Sequence, residues 1–213
     1  MSSAVRPETV HDSTDLPHVV RCAVRLAVFE AAIVVALSFI TRFLSGPAEF
    51  GLGALVLVAG LAVVSFLPGR WTNARTIEGI AGAAGIGLTA AVVFLVIDVS
   101  LLQPLGMYAN RWHQIGGGSN WWYHPVWWMV GTFLPWMGAQ VLASQSQRAG
   151  RASIPAGILM VLAATLVCWV LGVLLYIPGA GWNLGSFGIA WLPGVMVAAI
   201  LGALRARRAY FGK

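Results

Sequence analysis

Charge is what this sequence has least of. Only 9% of its 213 residues are Asp, Glu, Lys or Arg, and 59% are hydrophobic; a soluble domain carries about a quarter charged residues. That balance excludes an ordinary soluble domain and implies a polytopic membrane protein. Lysine is nearly absent, with Lys213 alone beside twelve arginines. Together with the abundance of Ala, Gly and Val, this points to a GC-rich genome, hence a bacterium, with the inner (plasma) membrane as the expected location. The net charge of +6 would suggest nucleic acid in a soluble protein. In a membrane protein the position of the bases matters more than their sum, and no nucleic-acid partner is expected.

Cysteine is equally sparse. Cys22 and Cys168 lie on different apolar segments without CxxC spacing, so neither a disulfide framework nor a zinc site follows. No phosphate loop, dinucleotide fingerprint or HExxH occurs. The triple glycine of 116-GGGSN-120 follows no strand and reads as a turn. The first seventeen or so residues are polar and no small-residue cleavage site follows the first apolar run, so no cleaved signal peptide is expected.

What is present is apolar length. Six runs, at about 25–43, 50–67, 78–102, 125–143, 155–176 and 187–204, reach the roughly 17–25 residues a spanning helix needs. Without strand alternation they satisfy their backbone in a bilayer only as helices. The expected fold is therefore an all-α integral membrane protein of six transmembrane helices. A polar arm (1–20) precedes the membrane domain (21–204), and a basic tail (205–213) follows it. The connecting segments agree with that count. Arg6, Arg21, Arg25, Arg70, Arg75, Arg148, Arg151, Arg205, Arg207, Arg208 and Lys213 gather on one side, leaving only Arg42 and Arg111 opposite. By the positive-inside rule both termini are cytoplasmic, and the loop 103–124 faces outward.

That loop begins the aromatic stretch 116-GGGSNWWYHPVWWMVGTFLPW-136. Trp and Tyr favour the hydrocarbon–water boundary, so Trp112, Trp121, Trp122, Tyr123, Trp127 and Trp128 read as a belt at the mouth of the fourth helix. Tyr176, Trp182 and Trp191 are expected to complete it, with Trp71 alone on the inner side. The lopsided distribution also suits a docking face for other integral membrane subunits, because large rigid rings give contact at low ordering cost. His113 and His124 are the only histidines outside the arm. With Trp121 and Trp122 beside them, either suits a loop that ligates or walls a haem, carotenoid or bacteriochlorophyll, but two histidines alone make no complete metal set.

The fragment 121-WWYHPVWW-128 resembles the His-Pro element of haem-copper oxidases over eight residues. The several histidines that family places on neighbouring helices are missing. Six helices in a chain of this size is similar to the rhomboid proteases, yet Ser119 and Ser186 lie in a loop or at a helix mouth, with no histidine in any span to act as base. Neither family is assigned.

Two acids fall inside predicted spans, and intramembrane ionisable groups are functional candidates by default. Asp98, about one turn from the outer end of the third helix, is expected to pair with Arg42. Glu30, placed one to two turns inside the first helix, is expected to snorkel or pair with Arg25, Arg70 or Arg75. A proton-linked transporter or membrane enzyme using Glu30 and Asp98 is the competing function. Gly79, Ala83, Gly87 and Ala91, spaced by four, form a small-residue ridge for close helix packing, while Pro135 and Pro193 should kink their helices. The leading expectation is a noncatalytic accessory subunit of a larger membrane complex, respiratory or photosynthetic, with membrane lipids and other subunits as partners.

Overall fold

A computed structural model gives the architecture for residues 15–107 and 123–211, without the side chains of Tyr123 and residues 209–211. The described chain is helical, with no strand. In order it forms α1 (Leu16–Phe43), α2 (Gly46–Trp71), α3 (Ile77–Ile97), α4 (Tyr123–Ala149), α5 (Ile154–Leu174) and α6 (Leu184–Phe211), with a single π turn, Asp98–Leu102, extending α3. Five helices are long and apolar enough to cross a membrane: α1, α2, α3 with its π turn, α5 and α6. The fold thus fits a multi-pass membrane protein. Its sixth long helix, α4, is diluted by Trp127, Trp128, Trp136, Pro135 and Gln140.

Helix ends follow local chemistry. Proline stands in the first turn of α1, α2 and α5, where its missing N–H costs no hydrogen bond. Thr76 caps α3 by accepting from Gly79 N at 3.2 Å, and Asn183 Oδ1 accepts from Ser186 N at 2.9 Å to start α6. The helices overrun the apolar runs that announce them. α1 starts at Leu16 instead of residue 25, and α6 continues through the basic residues to Phe211. Arg21 and Arg25 extend α1 as an exposed face while Cys22, Ala23, Leu26 and Ala27 bury the other. The similar octapeptides 46-GPAEFGLG-53 and 178-PGAGWNLG-185 differ structurally: the first is the opening of α2, the second a turn entering α6.

α4 lies at the centre, packed on α2, α3 and α6. α1 packs on α3 and α2, and α5 on α6. Although only a short turn separates them, α4 and α5 touch little. The short turns between α1 and α2, α2 and α3, and α4 and α5 make consecutive helices antiparallel. The bundle therefore has a basic end and an opposite end bearing Asp98. Arg21, Arg25, Arg70, Arg75, Arg148, Arg151, Arg205, Arg207 and Arg208 are all exposed at the basic end.

Lipid is as apolar as leucine, so helix association in a bilayer relies on close contact and polar bonds instead of water exclusion. Here it relies on glycine facing oxygen. A Cβ on Gly87 of α3 would overlap Gly131 O and Pro135 of α4. Pro135 has no N–H to satisfy that i−4 carbonyl, which instead sits against the Gly87 Cα, a Cα–H···O arrangement. Gly138 of α4 lies as closely against Ser65 O of α2, and Gly194 of α6 against Thr165 of α5, whose Cα is 2.8 Å from a built Cβ. The ridge predicted on α3 is thus an internal surface at Ala83, Gly87 and Ala91, against α4. Its first member, Gly79, admits the α2–α3 turn, with Thr72 O 2.8 Å from a built Cβ.

Trp191 corrects the sequence reading. Expected in the outer belt, it is fully buried in α6 and donates from Nε1 to Ser65 Oγ of α2 at 3.1 Å. It belongs to a core with Phe66, Leu134, Val141, Val161, Phe187 and Val195. The physical reason is its register: Phe187, Trp191, Val195 and Ala198 form one helical stripe, so Trp191 continues an inward face.

Candidate functional site

One group of polar contacts inside the bundle gathers at the Asp98 end. Asp98 is fully buried where α3 passes into its π turn, and Gln103 Nε2 donates to Asp98 Oδ2 at 2.7 Å. π turns often mark functional positions in helices. Here the turn carries the carboxylate inward and lets the chain return at 103–107, with Gln103 N donating to Asp98 O at 2.9 Å.

α1 holds the same return segment. Buried Ser38 donates through Oγ to Met107 O, and Arg42 Nη2 donates to Gly106 O at 3.0 Å. Asp98 and Arg42 therefore both anchor residues 103–107, the acid through Gln103 and the guanidinium through a backbone carbonyl. Gly106 adopts φ +63 there, a turn conformation that favours glycine.

The aromatics sort into different environments. Trp127, a belt and docking candidate by sequence, packs inward, its ring centroid 5.1 Å from that of buried Phe94. Trp128 is exposed on the neighbouring face, beside Met129. Trp169 donates to Gly181 O at 2.9 Å and meets Trp182 and Phe187 edge-on at centroid distances of 5.2 and 5.6 Å. It holds the α5–α6 turn, leaving Trp182 and Tyr176 exposed. His124 is half-buried in the first turn of α4. His113, Trp112, Trp121 and Trp122, named for pigment or partner binding, lie outside the described residues, as do the side chain of Tyr123 and Arg111.

Glu30 stands apart from this group. It falls near the middle of α1 as observed, on the packed stripe of Ala23, Ala27 and Val34, and its Oε2 is buried without a hydrogen-bond partner among the described residues. The helix starts nine residues before the apolar run that announces it, at 16 against 25, so Glu30 stands mid-helix although it lies only five residues beyond the exposed Arg25.

Among the described residues, no three His, Cys, Asp or Glu side chains come together as a metal-binding group. Sequence reading missed three polar contacts that organise the bundle: Trp191–Ser65, Ser38–Met107 and Trp169–Gly181. Only the first had a visible signal, the inward register of Trp191. No family model, curated protein or solved structure matches this chain.

Proposed function

We propose that the protein is a noncatalytic, six-span accessory subunit of a bacterial inner-membrane complex, with both termini cytoplasmic, which docks through the aromatic face of α4. The observation carrying this reading is the position of Trp136. It is 45% exposed on the central helix, thirteen residues from the start of a 27-residue element, or roughly 20 Å along it at 1.5 Å per residue. A belt tryptophan sits at the headgroup level; this one lies at mid-helix depth, where lipid tails offer its N–H no acceptor. Its indole makes no hydrogen bond among the described residues. Met129, 71% exposed, and Trp128, 43% exposed, continue the face toward the Asp98 end. A partner helix supplies both ring contact and an acceptor for that N–H. Energy-transducing assemblies, respiratory or photosynthetic, are the class to test first.

Orientation is supported by the nine exposed arginines at one end of the bundle, the pattern expected of a cytoplasmic face. Extraction in a mild detergent followed by mass spectrometry should recover stoichiometric membrane partners, and Trp136→Ala with Trp128→Ala should release them while the protein stays folded. A lone stable monomer overturns the proposal. The pigment-binding alternative, through His124 or His113, predicts a visible absorption spectrum. The proton-linked alternative predicts flux in vesicles that is lost in Glu30→Gln.

A further inference from the structure

At the basic end, the slight contact between α4 and α5 leaves a half-open cleft of about 260 Å³. Its mouth carries Arg148 and Arg151, both exposed, with Ser144, Gln145 and Ser153 beside them; Val141, Ala156, Met160 and Gly202 form the apolar wall. Gly202 of α6 closes the back, where a Cβ would come within 3.1 Å of Ser144 Cβ. The turn is held in shape by Ser153 N donating to Gln145 Oε1 at 2.8 Å. Arg148 and Arg151, on the two sides of this turn in sequence, both line the one cleft. Among the described residues, no acid lines the cleft.

We infer that this cleft binds the headgroup of one anionic phospholipid. Two arginines with no carboxylate among the described lining residues select a negative ligand, and the guanidinium fork suits phosphate oxygens. Beyond the cleft, α5 exposes Leu159 and Leu166, an apolar surface that acyl chains would cover. A ligand with a phosphodiester head and acyl tails matches both halves: the cavity takes a phosphate with its glycerol, and the chains leave over that surface. A free phosphate ion shares the head chemistry but leaves the apolar wall unused. The site is distinct from the docking face on α4, since it lies at the opposite end from Trp128 and involves other residues.

The protein in a neutral detergent, exposed to mixed micelles containing phosphatidylglycerol or phosphatidylcholine, is read by native mass spectrometry. One phosphatidylglycerol should be retained per chain in preference to phosphatidylcholine. Replacing both bases, Arg148→Gln with Arg151→Gln, should lower that retention roughly thirtyfold, the scale of two basic side chains at an anionic surface. Arg208→Gln, on the tail helix, should not. Ala156→Phe fills the cleft from an exposed position while keeping both arginines and should also reduce retention, which keeps the test decisive if the double variant misfolds. Equal retention of the two lipids, or unchanged retention in Ala156→Phe, overturns the inference. So does arginine-dependent binding of inorganic phosphate with no lipid selectivity, which would mark an anion site without a tail groove.

Discussion

The indole N–H of Trp191 on α6 meets the hydroxyl of Ser65 on α2 at 3.1 Å, with both residues fully buried. The backbone oxygen of the same Ser65 lies against Gly138 of α4. One short residue therefore joins three helices, by a side-chain bond on one side and close backbone contact on the other.

Removing the bond alone should have a modest effect. Trp191→Phe is expected to lower stability by about 0.5–1.7 kcal/mol, the range for interhelical hydrogen bonds in membranes, and Trp191→Ala by about 3–5 kcal/mol through the cavity it leaves. Thermal unfolding in detergent should separate the two. Equal losses would mean that the ring volume is immaterial.

Gly87 and Gly85 make a matched pair on α3. A methyl group at Gly87 overlaps Gly131 O, whereas one at Gly85 meets nothing within 4 Å. Gly87→Ala should separate α3 from α4 and lower the unfolding midpoint. Gly85→Ala should be neutral or raise stability by up to about 1 kcal/mol, the helix-propensity difference. Identical midpoints for the two variants would remove the Gly87–Gly131 contact from the account.

Glu30 presents a buried carboxylate oxygen with no hydrogen-bond partner among the described residues. Such an atom opposes folding by about 1–3 kcal/mol, so Glu30→Leu should be as stable as the native protein or more so. If the accessory-subunit reading holds, partner recovery should also survive the change. A stable Glu30→Leu protein that loses proton flux would favour the transport reading.

The Asp98–Gln103 bond should control the return segment 103–107. In Asp98→Ala, hydrogen exchange at these residues should rise. Asp98→Asn keeps an amide oxygen that can accept from Gln103 and should protect them partially. Ser38→Ala, which removes the donor to Met107 O, should loosen the segment from the other side. Unaltered exchange in all three would show that the segment is held elsewhere.

The apolar runs made the helices legible because a spanning segment has a length and composition that little else shares. Their ends were less so: Arg21 and Arg25 break the hydropathy of α1 without breaking its helix, since one charged face can stay exposed while Cys22 and Leu26 pack. The ridge on α3 was readable from spacing alone, but its partner was not, because Gly131 and Gly138 become a complementary surface only once α4 is central. Trp191 was misplaced by giving weight to residue type over register. The π turn at Asp98 left no trace in the residues, as it depends on the return of 103–107 to α1.

The modest hydropathy of α4 bears on how the molecule is made. A helix interrupted by Pro135 and carrying Gln140 partitions weakly into lipid alone, and its glycines, Gly131 and Gly138, find their seats only against α3 and α2. During synthesis the α1–α3 unit is then a template that must be in place before α4 settles, so assembly is sequential. Mutations at Gly87 or Ser65 should consequently appear first as degradation of newly made chains, before any loss of function in those that mature.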